Sequence, residues 1–171
     1  MPMFPTRTIV GLALALAATA AGAVATATVT VHYDHPENFT ETKEVRAFAP
    51  TRADSGYLDT LKRYTEKRAE NVLQPGQTLD IVVTDIDRAG SYLPSVGSGQ
   101  PVRVVEAVYP PRMTLHFRLL DGQGQVLREG TRKLSDLGFM YDNVGGLTNT
   151  DPLRYEKRMI DRWLAKGPAK F

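Results

Sequence analysis

The segment 79–90, LDIVVTDIDRAG, decides how the rest of the chain folds. Its first half is a compact apolar, β-branched run that follows the turn residues QPG at 74–76, which predicts a buried β-strand. Because strand side chains alternate between two faces, one face is predicted to carry Leu79, Ile81, Val83, Asp85 and Asp87. The apolar half of that face must point into the core. Asp85 is therefore expected at the core-facing end of the strand, where an ionised carboxylate needs a partner.

Further strands are predicted on both sides of this segment, each with apolar and polar residues in alternation. They cover residues 28–34, 102–109, 112–120 and 125–134. The turn residues DGQG at 121–124 join the last two strands into a hairpin. Gly130 weakens the return strand and favours a position at the edge of the sheet.

Two helices are predicted from apolar residues at helical spacing. The first covers residues 56–73, with Asp54 or Ser55 as its N-cap. The second covers residues 151–164, with Asp151 as N-cap and a proline at the first helical position. Residues 36–53, which contain two prolines and several polar residues, are interpreted as a long loop.

This order of elements predicts an α+β fold. Strands with one polar side indicate a sheet that is covered on one face only. We expect a two-layer sandwich in which two helices pack on one face of a mainly antiparallel sheet of about four or five strands. The first helix would cross over between two parallel strands.

The N-terminal residues have the pattern of a secretory signal peptide. Arg7 precedes an apolar run from Ile9 to Ala21, and small residues follow it. Cleavage is expected after Ala23, Ala25 or Ala27. The predicted organisation is a signal peptide at 1–25 and a single α+β domain at 26–171. An uncleaved anchor is the alternative, although the apolar run is short for a membrane span.

Composition limits the classes of function. The chain has no cysteine, which removes disulfides, thiolate metal sites, Cys nucleophiles and a lipidated N-terminal Cys. Together with the predicted signal peptide, this leads us to expect a periplasmic or secreted protein with no stable membrane anchor after cleavage. Its 21 Lys and Arg residues nearly balance 19 acidic ones, which favours neither a nucleic-acid partner nor a polybasic membrane surface.

The second predicted helix contains an unusual carboxylate. Glu156 lies in the middle of the apolar face of that helix, three residues after Leu153 and four before Ile160. A buried carboxylate must be paired, protonated or catalytic. One interpretation is an ion pair with Arg68, Arg103 or Arg112. The others are a general acid or base with a raised pKa, and a rotated helix that leaves Glu156 in water.

Two other groups of polar residues allow more than one interpretation. Arg68 lies in the apolar stripe of the first helix, so it either extends its head into water or faces a buried carboxylate. Either Asp85 caps or pairs locally and Asp87 is solvated where the strand ends, or the two carboxylates offer oxygen ligands to Mg²⁺ or Ca²⁺. The polar sheet face is either solvated or binds an anionic glycan or an acidic protein through Arg112, His116, Arg118, Arg128 and Arg132.

Several short motifs together resemble a bacterial family known as domain of unknown function 3016. They are VTDIDRAG at 83–90, PPR at 110–112, LSD at 134–136, and DPLRYEKRMI at 151–160 with Trp163 after it. Arg88 departs from the pattern, in which an apolar residue is expected. The resemblance implies an exported bacterial protein with no established activity or cofactor, and it marks Asp136 beside Asp85, Asp87 and Glu156 as an acid of interest.

Two functions therefore remain open on the sequence alone. The first is a non-enzymatic module that binds another component of the cell envelope, such as a protein or an anionic glycan. The second is a metal-assisted hydrolase or divalent-ion-binding protein that uses Asp85, Asp87, Asp136 and Glu156.

Overall fold

The structure, a computed structural model, describes residues 25–48, 56–93, 101–141 and 148–171. Residues 1–24 of the predicted signal peptide, the N-cap at Asp54 or Ser55 and most of the Gly- and Ser-rich segment at 91–101 lie outside these residues. The strands are β1 (Thr28–Tyr33), β2 (Thr78–Asp87), β3 (Ser91–Leu93), β4 (Val102–Val104), β5 (Arg112–Leu120) and β6 (Val126–Ser135). The helices are α1 (Thr40–Phe48), α2 (Tyr57–Glu70) and α3 (Arg154–Leu164).

The described residues form an α+β fold, as predicted. A four-stranded mixed sheet has the order β1-β2-β5-β6. β1 and β2 are parallel, with α1 and α2 between them in the chain, while β5 pairs with β2 and β6 in antiparallel fashion. β6 is an edge strand, as Gly130 suggested. The strand predicted at 102–109 is shorter, because it ends at Val104 and pairs with β3 in a separate two-stranded sheet.

One hydrophobic cluster joins the sheet to the helices. Its fully buried members include Leu61 of α2, Ile81 of β2, Leu115 of β5 and Ile160 of α3. The same cluster contains Trp163 and the C-terminal Phe171, whose rings lie 5.0 Å apart. The apolar stripes predicted for the two helices are therefore the faces that these helices bury. No helix in the described ranges is long and apolar enough to cross a membrane.

A β-bulge changes the predicted alternation along β2. The register with β5 shifts between Val83 and Asp85, so that Thr84 is an extra residue on the bulged strand. After the shift, Ile86 is fully buried, and Asp85 lies opposite the half-buried Thr114. The prediction that Asp85 faces the core was therefore wrong, because the bulge moves both Asp85 and Asp87 out of the core-facing positions.

The prediction of a loop over 36–53 was also wrong, because residues 40–48 form α1. The carboxylate of Asp85 caps this helix from 45 residues away. Its Oδ1 accepts a hydrogen bond from the backbone N–H of Thr40 at 2.7 Å, and its Oδ2 accepts one from the Thr40 hydroxyl at 3.0 Å. The sequence TETKEVRAF offers only Val45 and Phe48 at helical spacing, and the one fully buried side chain of this helix is that of Glu41. The helix is held mainly by the polar contacts described below.

The two predicted helices have slightly different ends from those expected. α2 begins after Gly56, which has a left-handed backbone with φ of 64°. α3 begins at Arg154, and Asp151 acts one turn earlier, where its Oδ1 accepts a hydrogen bond from the N–H of Leu153 at 2.8 Å. The acid predicted as the cap therefore stabilises the turn that leads into the helix.

Candidate functional site

Two buried glutamates hold the segment 88–90, which joins β2 to β3. Glu41 of α1 is 1% exposed, and both of its carboxylate oxygens contact Nη2 of Arg103, at 2.6 and 2.7 Å. Its Oε2 also accepts a longer hydrogen bond, 3.4 Å, from the N–H of Arg88. Such charge-assisted contacts are stronger than those between neutral groups. We call Glu41, Glu156, Arg103 and the segment 88–90 the clamp.

Arg103 fixes the backbone of the same segment. Its Nη1 donates to the carbonyl oxygens of Arg88, Ala89 and Gly90, at 3.4, 3.1 and 3.0 Å. Gly90 has a φ of 86°, and a Cβ there would lie 2.5 Å from the Val104 carbonyl oxygen. The close approach of the two backbones therefore requires glycine at this position.

Glu156 holds the segment from the side of α3. It is 1% exposed, which confirms its predicted burial, and its Oε1 accepts a hydrogen bond from the N–H of Ala89 at 2.8 Å. The nearest guanidinium is that of Arg88, whose Nε lies 4.0 Å from Oε1. The predicted partners Arg68, Arg103 and Arg112 were wrong, because the first turn of α3 faces the segment 88–90 and Arg103 is bound to Glu41.

The environment of Glu156 opposes its ionisation. Burial raises the pKa of this carboxyl group, and the hydrogen bond from Ala89 and the charge of Arg88 only partly offset that effect. Its Oε2 atom is buried and has no hydrogen-bond partner among the described residues. The carboxyl group of Glu156 therefore acts in the clamp as a hydrogen-bond acceptor for the backbone more than as a member of a close ion pair.

Arg68 and Asp136 make other contacts between elements. Arg68 is 51% exposed, and its Nε lies 2.8 Å from Oδ1 of Asp161, which is itself one-third exposed. Its head thus reaches water at the junction of α2 and α3. Asp136 is buried at the end of β6 and contacts two arginines of α3, Arg162 at 2.7 Å and Arg158 at 3.3 Å.

A pocket of about 250 Å³ lies beside the clamp. It is lined by Thr40, Glu44, Asp87, Gly90, Ser91, Val108, Tyr109, Pro110 and Arg112. Glu44 is tied to its wall, because its Oε1 accepts hydrogen bonds from the Ser91 hydroxyl and from the N–H of Tyr92, the latter at 3.0 Å. The clamp therefore positions the backbone that forms one side of this pocket.

Asp87 is the carboxylate of the pocket with the loosest partner. Its Oδ2 lies 3.9 Å from Nη1 of Arg112, which is 60% exposed. Burial and the charge of Glu44 raise the pKa of Asp87 to about 6, while Arg112 acts in the opposite direction. Asp87 thus keeps a half-buried carboxylate in an acidic environment, and its nearest cation among the described residues is 3.9 Å away.

The structure separates the acids that the metal hypothesis required. Asp85 contacts Thr40, Asp87 lies in the pocket, Glu156 contacts Ala89, and Asp136 contacts α3. In the described ranges, no group of three or more His, Asp or Glu residues is arranged to hold a metal ion.

The basic sheet face is smaller than predicted. Arg128 and Arg132 lie opposite the buried residues Leu119 and Leu115, which places them on the core side of β6. There they donate to the carbonyl oxygens of Ala169 and Phe171 near the C-terminus. On the outer face Arg118 has an acidic partner, Glu129, at 3.5 Å.

The sequence did not single out Glu41 or Glu44 as site residues. Both lie on α1, which was interpreted as a loop, and their side chains face inwards three residues apart on one side of the helix. That spacing was the signal in the sequence from which the inward-facing pair could have been found. Val45, four residues after Glu41, is the apolar residue on the same face, and one such residue did not distinguish a buried side from a solvated one.

The comparison with protein families agrees with the resemblance in the motifs. A family model described as "Protein of unknown function (DUF3016)" matches residues 27–166. The chain belongs to this family. No curated protein and no solved structure matched the chain. The match spans β1 to the end of α3, so the clamp and the pocket both lie within the family's shared region.

Proposed function

We propose that this member of the family is an exported, non-enzymatic accessory module that binds a protein of the cell envelope through the pocket beside the clamp. The observation that supports the proposal most is the long distance between the Asp87 carboxylate and its nearest described cation. Asp85, Glu41 and Glu156 each make a hydrogen bond or ion pair of 2.8 Å or less inside the protein, whereas Asp87 has its nearest described cation at 3.9 Å.

The rim of the pocket has the composition of a protein-binding surface. Val108 is 67% exposed, Tyr109 is 39% exposed, and the neighbouring Arg112 extends into solvent. Tyrosine and arginine contribute most to binding energy at protein interfaces. Because Glu44 and Asp87 line the same pocket, a protein segment with a cationic group fits it better than an anionic glycan does.

Cross-linking in living cells tests the binding proposal. A photoreactive amino acid at Val108 is expected to give a discrete adduct with an envelope protein, and Arg112→Ala should reduce its yield severalfold. The same amino acid at Leu127, which is 52% exposed on β6, serves as the matched control. An adduct of equal yield from both positions, or none from Val108, would contradict the proposal.

Export is supported by Arg7 and the apolar run that follows it, and it needs its own test. Fractionation of cells that express a C-terminally tagged chain should place the protein outside the cytoplasm. Mass spectrometry should find its N-terminus after Ala23, Ala25 or Ala27. A full-length chain in the cytoplasmic fraction would overturn this part of the proposal.

A further inference from the structure

The two edges of the four-stranded sheet are protected to different degrees. At the β1 edge, the N–H of Val31 donates to Oε1 of Glu66 in α2 at 3.1 Å, so a helix side chain satisfies an outer backbone group. Among the described residues, no helix makes such a bond to the outer edge of β6. An unpaired strand edge is a template on which another strand can pair.

The direction of the backbone groups in β6 follows from the hydrogen bond at its end. The N–H of Asp136, directly after the strand, donates to the carbonyl oxygen of Pro111 beside β5 at 3.3 Å. Because hydrogen-bonded and free positions alternate along an antiparallel strand, the even-numbered residues of β6 pair with β5. The outward N–H and C=O groups therefore belong to the odd-numbered residues from Glu129 to Ser135, whose side chains are exposed.

One of these outward groups already has a partner within the chain. The carbonyl oxygen of Thr131 accepts a hydrogen bond from Nη1 of Arg132 at 2.9 Å. A carbonyl oxygen has two lone pairs, so it can accept a second hydrogen bond from another strand. Nη2 of Arg132 donates to the carbonyl oxygen of Phe171, which keeps this guanidinium on the core-facing side of the edge.

Two opposite charges lie on the outer face at this edge. Glu129 and Lys133 have exposed side chains, and Thr131 lies midway between them. Glu129 is 3.5 Å from Arg118 on β5, but both side chains are more than half exposed, so the carboxylate stays accessible. Lys133 lies opposite Thr114 and makes no ion pair with a described residue.

Antiparallel pairing of two copies of β6 about a twofold axis at Thr131 brings these opposite charges together. In that register Glu129 of each copy lies opposite Lys133 of the other on the outer face, and such cross-strand pairs stabilise a sheet. On the core-facing side, Arg132 lies opposite Gly130, which has no side chain. The outward backbone groups of residues 129, 131 and 133 also face each other, as a hydrogen-bonded ladder requires.

The neighbouring positions of the axis bring like charges together. An axis at Glu129 places this glutamate opposite its own copy, and an axis at Lys133 does the same for the lysine. An axis at Arg132 places this arginine opposite its own copy, and an axis at Gly130 places Arg128 opposite Arg132. Like charges directly opposite each other destabilise a sheet, so the charges of β6 favour the register centred on Thr131.

We propose that β6 is a self-association edge, at which two copies of this chain pair antiparallel about Thr131 to form one continuous sheet. Lysine and inward-pointing charges on an edge strand normally oppose unselective pairing. On β6 they disfavour the neighbouring registers and leave one that is favourable. An extended peptide from another protein would use the same backbone groups, but it would not need the symmetric placement of Glu129 and Lys133. The proposal does not depend on the pocket.

Sedimentation equilibrium tests the association on the protein recovered from expressing cells, which should show a reversible equilibrium between monomer and dimer. Glu129→Lys and Lys133→Glu each place like charges opposite each other, so each variant alone should raise the dissociation constant at least about tenfold. An equimolar mixture of the two variants should recover the affinity of the parent protein, because the two chains then carry opposite charges at the facing positions. Lys67→Glu, at an exposed lysine of α2, is the matched control and should dimerise like the parent protein.

A cysteine at the axis tests the register. The natural chain has no cysteine, so Thr131→Cys introduces one thiol per copy. Facing residues of an antiparallel pair lie within disulfide distance. Mild oxidation should therefore link Thr131→Cys into a dimer and leave Leu127→Cys, on the same strand but away from the axis, mostly unlinked. In the cross-linking experiment above, this dimer would appear at Leu127 as an adduct of two copies of this chain, which mass spectrometry distinguishes from an adduct with an envelope protein.

Three results would overturn the proposal. The first is a protein that stays monomeric at millimolar concentration. The second is a dimer that tolerates both charge reversals, or whose two variants fail to recover affinity when they are mixed, because association would then use another surface. The third is equal disulfide linkage of Leu127→Cys and Thr131→Cys, because the strands would then not pair about Thr131.

Discussion

The clamp and the pocket are neighbours, yet their carboxylates are bound in different ways. In the clamp, Glu41 contacts Arg103 at 2.6 Å and Glu156 contacts the N–H of Ala89 at 2.8 Å. In the pocket, Asp87 is 3.9 Å from an arginine that is itself exposed. Short internal contacts identify carboxylates that hold the fold together. A half-buried carboxylate with a loose partner and a raised pKa identifies a position that is open to an external group.

The largest effect is expected at Glu41. Glu41→Ala leaves the largely buried guanidinium of Arg103 without its closest partner, which should lower the free energy of unfolding by about 3–5 kcal/mol. Urea denaturation measures the change. Glu70→Ala, at an exposed glutamate of α2, is the control and should stay within about 0.5 kcal/mol of the parent protein. A loss of unfolding free energy at Glu41 no greater than that of the control would show that Glu41 does not stabilise the fold.

A smaller effect is expected at Glu156. Glu156→Ala leaves the Ala89 N–H without its acceptor and creates a small cavity, at a cost of about 2–3 kcal/mol. Asp87→Ala should cost less, because the nearest described partner of Asp87 lies 3.9 Å away. Glu156→Gln should be milder than Glu156→Ala, because the amide oxygen can still accept from Ala89. Equal melting temperatures for Glu156→Ala and Asp87→Ala would contradict this ranking.

The pH dependence of stability is expected to reflect Asp87. The folded pKa of Asp87, about 6, lies above its ordinary value of 3.8, so the folded protein binds its proton more tightly than the unfolded chain does. The resulting stability is present at low pH and is lost as the pH rises through about 6. Since Asp87 is 26% exposed, the effect should be about 1–2 kcal/mol.

Asp87→Asn should therefore stabilise the protein at pH 7 and flatten its stability between pH 4 and 7. Glu156→Gln should flatten part of the same profile, because the raised pKa of Glu156 acts in the same direction. Chemical denaturation at a series of pH values provides the measurement. A parent protein whose stability increases steadily from pH 4 to 7 would show that these two pKa shifts do not determine its pH dependence.

The smallest effect is expected from divalent metals. Both carboxylate oxygens of Asp85 are engaged by Thr40, so Ca²⁺, Mg²⁺, Mn²⁺ and Zn²⁺ should leave the melting temperature within about 1 °C. Asp85→Asn should lower the melting temperature through the weakened cap on α1, with or without metal. If one metal raises the midpoint of the parent protein and not of Asp85→Asn, Asp85 belongs to a metal site.

The parts of the fold that depend on local patterns were predictable from the sequence. Alternation identified β2 and the β5–β6 hairpin, and the position of Glu156 in an apolar stripe identified its burial. The β-bulge at Thr84 was not predictable, because it depends on the pairing of β2 with β5. α1 was missed because its cap comes from Asp85 and its inward hydrogen bonds come from Glu41 and Glu44, on a helix with few apolar residues.

The partner of Glu156 was not predictable from the sequence for the same reason. Spacing along α3 established that a carboxylate is buried, but it could not establish which group approaches it. That group comes from the segment 88–90, whose path is set by Arg103 and by the requirement for glycine at position 90. The burial of Glu156 thus followed from the residue spacing in its own helix. Its hydrogen-bond partner depended on three elements that are distant in the chain.

The most direct measurement combines stability and binding in Asp87→Asn. If Asp87 is kept for binding, the variant should be about 1–2 kcal/mol more stable at pH 7 and should give a severalfold lower cross-linking yield from Val108. Such opposite changes are expected of a residue whose unfavourable position serves an external partner. A variant that is less stable than the parent protein and cross-links with the same yield would contradict the account, because Asp87 would then belong to the architecture.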